Sequence, residues 1–322
     1  MHKELHALQA THTWEVTDLP PGKNPVSSKW VYRIKMKSDG SIVRYKAGLV
    51  ARGFSQQEEL DYHETFAPVV KMHTVRKFLA VAVSKNWPLF QLDVDNAFLH
   101  GHLHEEVYMT PPGFFQSEKA QGKVFKLLKS LYGLKQAPRQ WFSRFSDSLI
   151  SFGFVQSLND YSLFTYNKNG NFLALLVYVD DVILTGTSTT LIQQVKAYIH
   201  DLFKIKDLGQ LRYFLGFEVT RSSDDLFLNQ RKYALELILE AGLLACKPCS
   251  TPMDCKHKLA LSTAPDLVDP GPYRRLVGQL IYLTNTRPDL AYSVHILSQF
   301  MSKPNQDHLI AAHKVLRYLK GA

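Results

Sequence analysis

Two adjacent carboxylates near the middle of the chain stand between two apolar runs. Asp180 and Asp181 follow the run at 172–177 and precede a second run at 182–184. This pattern is typical of a β-hairpin with both acids at its tip. Like charges repel and burial disfavours their ionised forms, so a bound divalent metal would stabilise the pair. Two such metals can catalyse phosphoryl transfer, whereas the alternative is an ordinary tight turn, in which aspartate is common.

A third acidic ligand is required, because two aspartates at one tip cannot hold two metals without another bridging group. The segment Gln91-Leu-Asp-Val-Asp supplies two candidates, Asp93 and Asp95, near the end of a predicted strand. Alternation along a strand puts both side chains on one face, so the sequence leaves both open as the ligand. A strand-end acid that caps the following turn is the alternative.

The spacing of apolar residues predicts the elements that must position these acids. In chain order they are a hairpin over 29–54, a helix over 75–83, a strand over 89–94, a helix over 141–149, the acidic hairpin, a helix over 191–203, a strand over 211–219, and helices within 231–244, 273–283 and 308–319. This order indicates an α+β core with a mainly helical C-terminal portion.

Length and charge narrow the class of protein. A chain of 322 residues with 45% hydrophobic and 21% charged residues is a folded globular protein of two or three subdomains. Its net charge of +9 favours an acidic partner, and nucleic acid is the first candidate. Eight of its cations fall between 23 and 52, namely Lys23, Lys29, Arg33, Lys35, Lys37, Arg44, Lys46 and Arg52. The alternative is a protein that is merely basic.

Other chemistries find little support in the sequence. Cys246, Cys249 and Cys255 lie close to His257, but prolines interrupt the group and no second pair gives the usual zinc spacing. We therefore expect reduced thiols. The chain shows neither the G-x-S-x-G motif of hydrolases nor the phosphate-binding G-x-x-x-x-G-K-[ST] loop. No signal peptide or membrane span is predicted, so we expect no membrane partner.

Eight motifs occur one after another between residues 44 and 289. They are RYKAGLVARGF at 44–54, ETFAPV at 64–69, QLDVDNAFLHG at 91–101, EEVYM at 105–109, SLYGLKQAPRQW at 130–141, YVDD at 178–181, DLG at 207–209 with YFLG at 213–216, and TRPD at 286–289. This ordered set closely resembles the reverse transcriptase of copia-type LTR retrotransposons.

The resemblance implies a right-hand polymerase with an antiparallel palm sheet backed by helices. Residues 1–86 would form a fingers-like region, and 87–220 the palm, with a fingers insertion near 113–145. Residues 221–322 would be a thumb-like or connection-like region. The protease, integrase and RNase H of such polyproteins are expected to lie outside these 322 residues.

The resemblance also implies an RNA-directed, and in addition DNA-directed, DNA polymerase that extends a primer. Asp93, Asp180 and Asp181 match the catalytic carboxylates, and the carbonyl of Val94 would be a further metal ligand. The expected cofactor is Mg²⁺, with Mn²⁺ as an alternative. The expected partners are an RNA or DNA template with its primer and deoxynucleoside triphosphates, and the oligomeric state stays open. The expected location is intracellular and cytoplasmic, with the nucleus as an alternative.

Further roles follow from the same resemblance. Phe98 would wall off a ribose 2′-hydroxyl, although an ordinary core aromatic is the alternative. Lys206, or its neighbour Lys204, would protonate pyrophosphate, with a solvated lysine as the alternative. Asp95 would be a bystander, or at most an outer-shell group. The residues expected to bind the nucleotide are Lys46, Arg52, Phe98, Tyr132, Gly133 and Lys135. Those expected to bind primer and template are Tyr178, Tyr213, Phe214, Leu215 and Gly216.

Gly48 departs from the family pattern, which typically has arginine in this block. Loss of that guanidinium would remove a bidentate ligand for the triphosphate. The alternative function is therefore a decayed retrotransposon relic that binds primer and template without efficient catalysis.

Overall fold

The computed structural model describes residues 1–36, 41–113, 122–222, 225–254 and 256–322. The chain forms two compact units, Met1–Leu211 and Arg212–Ala322. The turn residues Ser38, Asp39 and Gly40 of the first predicted hairpin and the cysteine Cys255 lie outside the described residues. Within the described part of the chain, no helix has the length and apolar character needed to cross a membrane.

The secondary structure alternates between strands and helices in the first unit and becomes mainly helical in the second. The strands are β1 Trp14–Thr17, β2 Ser28–Met36, β3 Ile42–Ala51, β4 Leu89–Val94, β5 His102–Met109, β6 Val124–Lys129, β7 Val155–Gln156, β8 Leu163–Lys168, β9 Asn171–Tyr178, β10 Asp181–Gly186, β11 Ile205–Gln210, β12 Tyr213–Phe214, β13 Phe217–Arg221 and β14 Leu226–Asn229. The helices are α1 His2–Ala10, α2 Met72–Ser84, α3 Ala137–Phe152, α4 Thr189–Phe203, α5 Arg231–Glu240, α6 Gly271–Leu283, α7 Ala291–Ser298 and α8 Gln306–Gly321.

The central element of the first unit is a six-stranded antiparallel sheet in the order β11-β4-β10-β9-β8-β7. Alternate residues of its strands, such as Leu92 and Val182, are fully buried in one apolar cluster. The apolar faces of α3 and α4 complete that cluster through residues such as Trp141 and Ile199. Because strand residues alternate between faces, the intervening positions point away from these helices. The predicted α+β fold, with an antiparallel sheet backed by helices, is confirmed.

A second apolar cluster packs the sheet β1-β6-β5 against one end of the β2-β3 hairpin, where β2 begins and β3 ends. The loop before α3 lies directly on the end of β3. The N–H of Ala51 donates to the carbonyl of Tyr132 at 2.8 Å, and the N–H of Gly53 donates to the carbonyl of Gly133 at 3.1 Å. Gly133 has φ +94°, and a Cβ there would lie 2.0 Å from the carbonyl oxygen of Ala51. Only glycine fits this close approach.

The second unit consists of the sheet β12-β13-β14 and a cluster of helices that includes α5, α6, α7 and α8. Its core is centred on the fully buried Tyr273, whose hydroxyl donates to the carbonyl of Leu297 at 2.7 Å. The single strand predicted over 211–219 is wrong, because β12 and β13 form a hairpin. Its turn residues Leu215 and Gly216 have φ of 50° and 72°, a conformation that a continuous apolar run does not reveal. The division into fingers, palm and thumb regions stays a prediction.

Gly133 gives a direct test of the packing between this loop and β3. We expect Gly133→Ala to lower the free energy of unfolding by about 2–5 kcal/mol, since overlap with the backbone adds to the cost of a positive φ. Gly170→Ala is the matched control, because Gly170 has φ +73° but nothing lies within 4 Å of its added Cβ. The control should lose only about 1–2 kcal/mol in denaturant unfolding. Equal losses in the two variants would contradict the close approach.

Candidate active site

The register between β4 and β10 brings the predicted carboxylates together. Asp181, the first residue of β10, lies directly opposite Asp93 on β4. Asp180 occupies the two-residue turn between β9 and β10, and its backbone carbonyl accepts a hydrogen bond from the N–H of Val94 at 2.9 Å. All three aspartates therefore lie at one end of the sheet, with Asp93 and Asp181 on the face opposite the helices.

The turn that carries Asp180 has a strained backbone, and a hydrogen bond from a core side chain stabilises it. Val179 has φ 52°, which is unfavourable for a β-branched residue. Its carbonyl accepts a hydrogen bond from the indole N–H of Trp141 at 2.7 Å. Trp141 is fully buried between Phe145 and Phe203, with ring centroids 5.0 Å and 5.2 Å away. The packed core thus fixes the backbone of the turn.

Burial and charge act on Asp181 in the same direction. Burial, followed by the neighbouring charge of Asp180, raises the pKa of Asp181 to about 6, and Asp93 adds to the rise. The side-chain N–H of Gln91 opposes this shift, since it donates to Oδ1 of Asp181 at 3.4 Å. A divalent cation would favour the ionised carboxylates and remove this cost.

The donor chemistry of the site suits a hard divalent cation. Carboxylate oxygens of Asp93, Asp180 and Asp181, with a backbone carbonyl, are ligands that Mg²⁺ prefers. In the described part of the chain, however, no three His, Cys, Asp or Glu side chains converge closely enough to hold a metal ion. The aspartates therefore provide ligands of the right kind on adjacent segments without forming a closed coordination shell.

Lys206 lies beside the carboxylates, directly opposite Asp93 in the β11–β4 register. Its ammonium nitrogen is 3.8 Å from Oδ2 of Asp93 and makes a closer ion pair with Oδ1 of Asp95. Asp95 thus has an ion-pair partner in Lys206, and its expected place outside the metal ligands stays a prediction. Lys204, the alternative to Lys206, is an exposed residue at the C-terminal end of α4 with φ 54°.

Two aromatic residues border the carboxylates. The rings of Phe98 and Tyr132 meet edge to face with centroids 4.5 Å apart. Burial first, and then the charges of Asp180 and Asp93, raise the pKa of Tyr132 to about 12, although 37% of the residue remains exposed. Phe98 also packs against both apolar clusters of the first unit, so it has a core role as well.

Lys135, predicted to face phosphates, is engaged within the protein. Its ammonium group donates to the carbonyl of Gln56 at 3.0 Å and to the hydroxyl of Tyr62 at 3.3 Å. The same nitrogen lies 4.8 Å from the centre of the Tyr62 ring. These contacts hold the segment after β3 against the start of α3.

The remaining residues predicted for the nucleotide lie on or just after β3. Lys46 is opposite Arg33 in the β2–β3 register, and Arg52 is exposed immediately after the strand. Gly48 is opposite Val31, and the atom nearest to a Cβ built on it is Oε1 of Glu4 at 4.0 Å. The backbone there leaves room for a side chain.

The residues predicted to bind primer and template fall in both units. Tyr178 ends β9 opposite Asp181 in the first unit. In the second unit Tyr213 and Phe214 form β12, and the carbonyl of the turn residue Leu215 accepts a hydrogen bond from the hydroxyl of Tyr282. Phe214 is buried, whereas Tyr213 and Gly216 are accessible.

The family model for reverse transcriptase (RNA-dependent DNA polymerase) matches residues 11–255. The chain belongs to this family. It is 45% identical over its full length to the retrovirus-related Pol polyprotein from transposon RE1 of Arabidopsis thaliana and spans 22% of that protein. It is 39% identical, again over its full length, to the Pol polyprotein from transposon TNT 1-94 of Nicotiana tabacum and spans 25% of it. The predicted likeness to copia-type elements is confirmed.

A shorter relative and a solved structure also match. The putative transposon Ty5-1 protein of Saccharomyces cerevisiae is 35% identical over 230 residues, which are 71% of this chain and 75% of that protein. The foamy viral protease-reverse transcriptase dRH in complex with double-stranded DNA has a TM-score of 0.43 and 12% identity, covering 98% of this chain and 46% of that one. The chain spans about a fifth to a quarter of the length of the two Pol polyproteins.

The hydrogen bond from Trp141 to the strained turn can be tested by replacement. We expect Trp141→Phe to lower the free energy of unfolding by about 2–4 kcal/mol, because it leaves a cavity and an unpaired carbonyl. Trp30→Phe is the control, because the buried indole N–H of Trp30 has no hydrogen-bond partner among the described residues. That variant should change stability by less than about 1 kcal/mol. Similar losses in both variants would contradict the role of the bond.

The raised pKa of Asp181 predicts a pH dependence with a definite sign. Between about pH 4 and pH 6 the folded protein holds a proton that the unfolded chain, with an ordinary aspartate pKa, has released. This contribution is complete below that window and is lost as the pH rises through about 6. In metal-free buffer the stability of the native protein relative to Asp181→Asn should therefore fall from pH 4 to pH 7. A difference in unfolding free energy that is constant over this range would contradict the shift.

Proposed function

We propose that this chain is an RNA-directed, and also DNA-directed, DNA polymerase that extends a primer by two-metal nucleotidyl transfer. The observation that carries the proposal is the register that opposes Asp181 to Asp93 and ties the backbone of Asp180 to Val94. Adjacent carboxylates are unfavourable here because they repel each other and are partly removed from water. A bound divalent cation would offset both effects, so the arrangement is typical of a metal site. The family membership supports the same reaction class.

The aspartates and the carbonyl of Val94 would hold Mg²⁺, with Mn²⁺ as an alternative. When bound, the ions would favour ionisation of the primer 3′-hydroxyl and neutralise charge on the leaving pyrophosphate. The protein itself supplies a fixed turn for Asp180, and its Lys206 ammonium, 3.8 Å from Oδ2 of Asp93, would donate the proton to pyrophosphate. The Phe98–Tyr132 ring pair would exclude a ribose 2′-hydroxyl.

The partners in this proposal are a primed RNA or DNA template and deoxynucleoside triphosphates. The positive net charge of +9 suits both, because each presents phosphates. Tyr178 in the first unit and the turn at 213–216 in the second are the proposed contacts to primer and template. The proposed location is the cytoplasm, with the nucleus as an alternative.

A second candidate function is a nucleic-acid-binding relic with little catalysis, and Gly48 favours it. No side chain is present there to hold the triphosphate, and Lys135 is bound to Gln56 and Tyr62 instead. Because the backbone at Gly48 leaves room for a side chain, Gly48→Arg should fold normally.

Primer extension on an RNA template with Mg²⁺ and deoxynucleotides separates these functions. We expect the native chain to extend the primer and Asp180→Asn/Asp181→Asn to lose activity at least 100-fold, since removal of metal-ligand charge leaves the reacting oxygens unstabilised. Asp147→Asn, an exposed change on α3, is the matched charge control and should keep activity.

Binding to the same primer–template is measured in parallel. Extension only by Gly48→Arg would indicate a polymerase disabled at its triphosphate site. Retained binding with no extension by any variant would contradict the polymerase and favour the relic.

A further inference from the structure

Three charged residues form a row across three neighbouring strands. Lys206 on β11 is opposite Asp93 on β4, which is in turn opposite Asp181 on β10. Directly opposed residues of antiparallel strands share one face and lie close together. The one cation of this row therefore stands next to a carboxylate that the proposed function assigns to metal binding.

A fourth residue, Asp95, determines the position of the Lys206 ammonium group. The Lys206 ammonium contacts Oδ1 of Asp95 directly but remains 3.8 Å from Oδ2 of Asp93. The side chains of Lys206 and Asp95 are 51% and 49% exposed, so neither is locked by burial and the pair depends on charge. Without the Asp95 carboxylate, Asp93 would be the nearest anion to the ammonium group.

The backbone around Asp95 is itself held in place. The carbonyl of Asp95 is 3.2 Å from Nε2 of the half-buried His100. Asn96 follows with φ 52°, and its carbonyl accepts a hydrogen bond from the N–H of Leu99 at 2.8 Å. Asp95 is therefore presented from a well-defined turn at the end of β4.

We propose that Asp95 is a positioning residue that holds the Lys206 ammonium beside Asp93 and keeps it from pairing fully with that ligand. A lysine seated on Asp93 would compete with a divalent cation for the same oxygen. By binding Lys206, Asp95 leaves Asp93 available to the metal and keeps the ammonium group near the reacting phosphates. This inference rests on the proposed function, because it assumes that Asp93 is a metal ligand.

A simpler account is that Asp95 only adds one negative charge near the metal. The two accounts differ in their dependence on Lys206. Simple attraction predicts that Asp95→Asn weakens metal binding by the same factor whether or not Lys206 is present. If Asp95 acts by positioning Lys206, Asp95→Asn weakens metal binding only when Lys206 is present. The effects of the two substitutions on metal binding are then not additive.

The test is a Mn²⁺ titration of the full chain, with free Mn²⁺ measured by electron paramagnetic resonance and with no nucleotide or primer present. The variants are Asp95→Asn, Lys206→Gln, their combination and the control Lys85→Gln, which changes an exposed lysine at the C-terminal end of α2. We expect Asp95→Asn to weaken binding about two- to fivefold and Lys206→Gln to strengthen it by a similar factor. In the Lys206→Gln background, Asp95→Asn should have an effect less than half as large on a logarithmic scale. Lys85→Gln should bind Mn²⁺ like the native chain.

An equal effect of Asp95→Asn in both backgrounds, or no effect in either, would overturn the proposal. Asp180→Asn/Asp181→Asn serves as the reference for the site. If the native chain binds Mn²⁺ no better than this variant, the proposed metal site fails, and the positioning role fails with it. If the reference behaves as expected while Asp95 and Lys206 are uncoupled, only the positioning role fails. The polar, exposed substitutions at 95 and 206 should leave the fold intact, which circular dichroism verifies.

Discussion

The candidate site depends on one constraint, the antiparallel register between β4 and β10. That register places Asp181 opposite Asp93 because the next pair inward, Val182 and Leu92, is fully buried in the cluster that α3 and α4 complete. A slip of β10 by one residue would move Val182 out of the core and turn Asp181 toward the helices. The hydrophobic core therefore fixes the position of the charges, even though the charges oppose one another.

Specific contacts offset the unfavourable free energy of placing these charges together. Burial and the charge of Asp180 disfavour ionised Asp181, and Val179 adds backbone strain in the adjoining turn. Gln91 partly stabilises the carboxylate, while Trp141 holds the carbonyl of the strained residue. A strained turn persists only where its surroundings determine it. The aromatic core beneath the sheet thus supports the site through the backbone of the turn.

Much of this arrangement could be predicted from the sequence, because its signals are local. The apolar runs around Asp180 and Asp181 and the alternation through Asp93 indicated the hairpin and its neighbouring strand. The pair between Lys206 and Asp95 joins residues 111 positions apart, and no local pattern links them. The same holds for Lys135, whose charge suggested phosphates but whose partners lie 73 to 79 positions away. Side-chain partners across such separations depend on the folded register.

The contrast between Gly48 and the aspartates bears on whether the chain is a polymerase or a relic. The fold does not require glycine at position 48, because the nearest atom to an added Cβ is 4.0 Å away. The absence of a side chain there therefore has little structural consequence. The aspartates are the opposite case, because replacing a half-buried carboxylate that repels its neighbours by a neutral residue would stabilise the fold. A chain free of functional constraint would be expected to lose such a cluster early. Its retention, together with the turn and core that support it, favours the polymerase.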